Sequence, residues 1–136
     1  MNKYPNRGEI WLVNWNPSRG SEQAGIRPAL IIQNDIGNVN AATTIVAAIS
    51  SSIKLYPMNV KVETHESDLK KTSIVKTSQI LTVSKLRLEK KIGKLSNEKM
   101  NQVNQAIKLS LGIEYTNGDR KKQVPKTGFI PHFQNK

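Results

Sequence analysis

The segment from Ser18 to Pro28 gathers reactive side chains: Ser21, Glu22, Gln23 and Arg27, with Gly20 and Gly25, set just ahead of the apolar run Ala29-Leu30-Ile31-Ile32. A second set of hydroxyls, Ser50, Ser51 and Ser52, closes another strand-like run. These residue types suit cleavage of a phosphodiester by a neighbouring ribose hydroxyl. Without a metal, that reaction needs a group to take the 2′-OH proton and a group to protonate the departing 5′ oxygen. It also needs positive or hydrogen-bonding support for the charge growing on the phosphorane. Arg27 offers a planar, permanently charged donor fork for phosphate oxygens. Glu22 offers a base if burial raises its pKa, and Ser50, Ser51 and Ser52 offer hydrogen bonds to the phosphate. A plainer alternative stays open on spacing alone: an arginine before a proline is commonly structural, and a loop carboxylate commonly just faces water.

Other chemistries are poorly served. The two histidines, His65 and His132, stand far apart in the chain, so a two-histidine mechanism would need distant segments to converge. Glu63, His65, Glu66 and Asp68 have ligand types but no metal-motif spacing, and read as a solvated loop. There is no cysteine, which excludes disulfides, thiolate zinc sites and a cysteine nucleophile. Neither a G-x-x-x-x-G-K-[ST] phosphate loop nor a G-x-S-x-G elbow occurs. No cofactor and no metal are expected.

The groups must be positioned by a mainly β chain with one C-terminal helix, an α+β class. Gly8–Trp15 is apolar on both faces, Pro28–Gln33 reads as a buried strand, and Asn34-Asp35 with Gly37-Asn38 reads as a turn. Thr43–Ile49, Asn59–Glu63, Ser73–Val83 and Lys90–Leu95 supply further strands, which at this spacing indicate a small barrel or sandwich. Ser96 is placed to cap a helix, Glu98 falls in its first turn, and Met100, Val103, Ile107 and Leu111 share one helical face before Gly112. After Tyr115 the periodicity stops. Residues 1–115 read as the folded domain and 116–136 as a weakly ordered basic tail, in which Phe129, Ile130 and Phe133 stand out as apolar.

The 136 residues suffice for one modest core. The net charge of +11 points to a polyanionic partner, although surplus lysine also serves plain solubility. The tail holds five basic residues against Asp119, leaving +7 on residues 1–115. No apolar run approaches the ~18 residues of a membrane-spanning helix. Met1–Arg7 is polar, which with the absence of cysteine suits a cytoplasmic protein.

Three runs, Arg7-Gly8-Glu9-Ile10-Trp11, Gly20-Ser21-Glu22-Gln23-Ala24-Gly25-Ile26-Arg27-Pro28 and Ile32-Gln33-Asn34-Asp35, closely resemble the MazF/PemK (Kid-like) toxins of type II toxin–antitoxin systems. The likeness continues through Thr44–Ser50, Gln79-Ile80, Lys85–Leu88 and Ser110-Leu111-Gly112. The resemblance implies an SH3-like antiparallel β-barrel of the type shared with CcdB, assembled as a homodimer. It implies a metal-independent endoribonuclease that cuts single-stranded RNA, usually mRNA, at a short sequence through a 2′,3′-cyclic phosphate. It also implies inhibition by an acidic, MazE-like antitoxin lying over the RNA path, and no membrane association.

By the same resemblance Arg27 is the catalytic arginine, stabilising the phosphorane and donating a proton, Glu22 a proposed base, and Ser50 the second catalytic residue. Ser21, Gln23, Asn34, Ser52, Lys54, Ser78 and Gln79 fall on the implied RNA path, with Gln79 as a reader of base edges. Two departures stand out. Ser50 replaces the family's usual threonine and lacks the β-methyl that restricts rotation. Ser78 and Leu81 stand where close relatives often have glutamate and arginine, which points to a different cleavage sequence. A gyrase-binding toxin on the same barrel and a catalytically weak or inactive RNA-binding member are the competing readings.

Overall fold

Alternation along the central strands sorts apolar side chains into two cores. The computed structural model describes residues 4–16 and 25–113. Its elements are β1 (Glu9–Asn14), β2 (Ile26–Ile31), α1 (Asp35–Asn40), β3 (Thr43–Ser50), β4 (Asn59–Val62), β5 (Ser73–Ser84), β6 (Leu88–Lys94) and α2 (Asn97–Leu111). All strand pairs are antiparallel, in the order β4-β5-β3-β2-β1-β6. Ile10, Leu30 and Ala47 enter a core with Val60, Val62, Val75 and the buried face of α2. Their neighbours Trp11, Ala29 and Val46 enter a second core with Val13, Trp15 and Leu88 on the other side of the sheet. β1 is therefore covered on both faces, as its composition predicts.

The sheet curls until its edges approach. Gly93 on β6 lies against the segment that follows β4, and a Cβ built there would sit 2.2 Å from the Ser67 carbonyl oxygen. Only a glycine lets the two backbones come this close. The expected SH3-like barrel is present in this form, with β6 against the segment that follows β4 but β4 and β6 unpaired among the described residues.

α2 begins and ends where its sequence predicts. The Ser96 hydroxyl accepts the Lys99 N–H at 3.1 Å, and Gly112 takes a left-handed φ of 70° to close the C-terminus. The docked face differs in its last turn. Met100, Val103 and Ala106 are buried and Ile107 packs beside them, whereas Leu111 is 58% exposed. At that end the helix meets β5 through a polar contact, Ser110 donating its hydroxyl to the Thr77 carbonyl at 2.7 Å. The stripe thus runs toward Ser110, and Leu111 falls outside it.

The turn expected at Asn34–Asn38 is instead the six-residue helix α1. Asn34 is its N-cap, accepting from the Gly37 N–H at 2.8 Å. Asn38 is fully buried and satisfied: its amide donates to the Gln33 carbonyl and to Asp35, and its oxygen accepts from Thr44 and Gln33. Turn-forming residues here serve as a cap and a buried polar hub, while Ile36 and Val39 face outward. The Glu63–Asp68 stretch, expected as a solvated loop, contains a 3-10 turn at Thr64–Glu66 closed by a reciprocal capping box between Glu63 and Glu66. The last strand begins at Leu88, two residues earlier than its alternation suggested.

Candidate active site

β2 and β3 part where the chemistry is expected. They pair at Ile31–Val46, Leu30–Ala47 and Ala29–Ala48, and there the ladder ends. The next residue on β2 is Pro28, which has no N–H to give a ladder. Two residues past the last pair, Arg27 on β2 and Ser50 on β3 occupy matching positions on the same face of the sheet. Arg27 is exposed and pairs across its other side with Val13 of β1.

Ser50 is half-buried, and its hydroxyl oxygen accepts the Ser52 N–H at 3.0 Å. That bond holds the side chain in one orientation and leaves its proton to donate to a phosphate oxygen. The restraint that a threonine methyl would supply is replaced, in part, by the turn that follows the strand.

Beside Ser50 lies a cavity of about 290 Å³. Five of the sequence-predicted residues, Ser50, Ser52, Lys54, Ser78 and Gln79, line it together. Tyr56, Asn59, Ile74 and Lys76 complete the wall and were not singled out from the sequence. Ile74 and Lys76 alternate on the same face of β5, with Ile74 paired to Ser50. A cationic Lys76 after Ser73-Ile74-Val75 was the one available signal; its neighbourhood depends on a strand register that no local pattern reveals. Asn59 donates to the Lys54 carbonyl at 2.6 Å and ties the loop between β3 and β4 to the cavity wall.

Not every predicted residue joins this group: Arg27 is not among the residues that line the cavity. Asn34 lies beyond the opposite end of β2, occupied in capping α1. Ser21, Glu22 and Gln23 lie outside the described residues, as does the 116–136 segment.

The electrostatics are one-sided. Lys54 and Lys76 line the cavity, and no carboxylate does so among its described lining residues. The Glu63 and Glu66 carboxylates are engaged with Thr72, Lys61, Lys99 and the local backbone. Glu9 is buried, which alone would raise its pKa, but hydrogen bonds from the Trp11 indole, the Asn6 backbone and side chain, and Lys91 outweigh burial and lower it. No group of three or more potential metal-ligating side chains occurs among the described residues. No described helix is long and apolar enough to cross a membrane.

Fold and groove together define a class: a small antiparallel barrel with a C-terminal helix, carrying a hydroxyl- and lysine-lined groove suited to phosphates. Residues 6–111 match the family model described as the PemK-like, MazF-like toxin of type II toxin-antitoxin systems, and the chain belongs to that family. It is 46% identical over 109 residues to the Endoribonuclease MazF of Staphylococcus saprophyticus, covering 79% of this chain and 91% of that protein. Among solved structures, MazF from Deinococcus radiodurans superposes with a TM-score of 0.71 at 22% identity, covering 82% of this chain and 100% of that one. A mycobacterial endoribonuclease in complex with its cognate antitoxin gives a TM-score of 0.71 at 23% identity, covering 82% and 99%. These two likenesses bear on the fold.

Proposed function

We propose that this toxin endoribonuclease cuts single-stranded RNA at a short sequence, without a metal, with Arg27 and Ser50 holding the scissile phosphate. The observation that carries the reading is the placement of Arg27 and Ser50 at matching register positions just past the last β2–β3 pair, with Ser50 lining a cavity that Lys54 and Lys76 also line. The ribose 2′ oxygen attacks phosphorus, the bond to the 5′ oxygen breaks, and a 2′,3′-cyclic phosphate and a 5′-OH end result. Arg27 meets the negative charge developing on the non-bridging oxygens, and Ser50 donates a hydrogen bond to one of them. Glu22 is the proposed acceptor of the 2′-OH proton, and Arg27 the proposed donor to the leaving oxygen. Two lysines and no carboxylate among the described lining residues disfavour a divalent cation there, which supports metal-free chemistry.

The physiological partners in this reading are cytoplasmic RNA, a second copy of the chain and an acidic, MazE-like antitoxin. A protein of net charge +11 attracts both the RNA and the antitoxin, which then compete for the groove. Digestion of a long RNA in excess EDTA tests the reading: discrete cuts ending in cyclic phosphate support it. Intact RNA, or cleavage that EDTA abolishes, contradicts it.

A further inference from the structure

We infer that Thr77 is a positioning residue of the RNA groove, clamping a three-residue excursion of β5 to α2 and so setting where Ser78 and Gln79 meet the RNA. The inference rests on the proposed RNA-binding role of the groove. Along β3, Ala47 and Ala48 are consecutive, but their partners on β5 are Ile80 and Lys76. Thr77, Ser78 and Gln79 are therefore left without partners on β3. An ordinary bulge inserts one residue and re-aims a side chain. Three inserted residues leave the ladder unable to fix their position, so other contacts must do so.

Thr77 supplies those contacts. It is fully buried, and its N–H and hydroxyl both donate to the Met58 carbonyl, at 3.0 and 2.6 Å. The hydroxyl also lies 3.2 Å from the Ala106 carbonyl of α2, and the Thr77 carbonyl accepts from the Ser110 hydroxyl of α2 at 2.7 Å. A hydroxyl has one proton, so the shorter bond to Met58 takes most of it and Ala106 a lesser share. Thr77 thus ties the excursion both to the segment before β4 and to α2, yet does not itself line the cavity.

The residues it carries are held less firmly. Ser78 is exposed, and the Gln79 side-chain oxygen is buried without a hydrogen-bond partner among the described residues. A buried, unpartnered amide oxygen favours reorientation toward any donor that approaches. Gln79 is in this way poised to exchange its unsatisfied state for a base edge, provided its backbone stays where Thr77 holds it.

The test uses the full chain and maps 5′ ends on a long RNA, with KM and kcat measured on a short cognate substrate. Gln79→Ala relaxes the preference at one base of the cleavage sequence. Thr77→Val keeps the volume, removes the hydroxyl, relaxes the same base and raises KM about 5- to 20-fold with kcat little changed. Thr77→Ser restores the wild-type pattern, and the double variant behaves as Gln79→Ala alone. Ser110→Ala, which leaves the buried threonine in place, shifts the same base more weakly. A wild-type pattern and KM for Thr77→Val, or effects of Thr77→Val and Gln79→Ala that add in full, overturn the inference. If Gln79→Ala itself leaves the pattern unchanged while RNA is still cut, the groove does not read bases and the inference falls with it. Loss of cutting by the wild-type protein would instead reject the underlying function.

Discussion

Arg27 and Ser50 hold matching register positions on β2 and β3, two residues beyond the last paired position, Ala29–Ala48. A guanidinium and a hydroxyl at matching positions on one face of neighbouring strands are placed to serve a single phosphate. Pro28, which cannot extend the ladder, follows the last paired position.

Ser50 should carry transition-state stabilisation and little substrate affinity. Ser50→Ala is expected to lower kcat by about 10²-fold, the scale of losing one preorganised donor, with KM nearly unchanged. Ser50→Thr is expected to retain full activity, because the Ser52 N–H already orients the hydroxyl. Single-turnover cleavage of a short RNA separates the two parameters.

Lys54 and Lys76 are expected to act on affinity through phosphates rather than bases. Neutralising either, as Lys54→Ala or Lys76→Met, should weaken RNA binding uniformly across sequences. Each change should also reduce the slope of log K against log salt by about 0.7. Filter binding at several salt concentrations checks this with a catalytically dead background variant.

Stability should respond to acid through Glu9. Burial disfavours its charge, but the Trp11, Asn6 and Lys91 hydrogen bonds win and lower its pKa from the ordinary value of 4.5. A carboxylate with a depressed folded-state pKa contributes stability that is present above the unfolded pKa and lost as pH falls through the folded value. Glu9→Gln should therefore be less stable than wild type by about 1–3 kcal/mol at pH 7. The gap should narrow progressively below about pH 4.5. Denaturant titrations at pH 7, 5 and about 3.5 read this directly.

Elements with a single strong period were legible in the sequence. The Ser96 cap, the Met100–Val103 face and the αL Gly112 define α2, and the doubly apolar β1 announces two cores. Residues with two competing uses were less legible. Asn34, Asp35 and Asn38 are turn formers that here build α1, because Asn38 finds buried partners in Thr44 and Gln33 that lie outside any local window. Among the proposed site residues, Arg27, Ser50 and Gln79 are suggested by the family resemblance. Lys76 and Asn59 are not, because the excursion at Thr77–Gln79 shifts the β3–β5 register by three residues and changes which β5 residues lie beside the end of β3.

Arg27 offers the most direct measurement. Wild-type protein and Arg27→Ala, each shown folded by circular dichroism, are incubated in EDTA with one long RNA, and new 5′ ends are mapped. Wild type should cut at a recurring short sequence, while Arg27→Ala should cut at least about 10²-fold more slowly with its thermal midpoint preserved. Cleavage by Arg27→Ala at the wild-type rate and positions would contradict the assignment of Arg27 to the reacting phosphate.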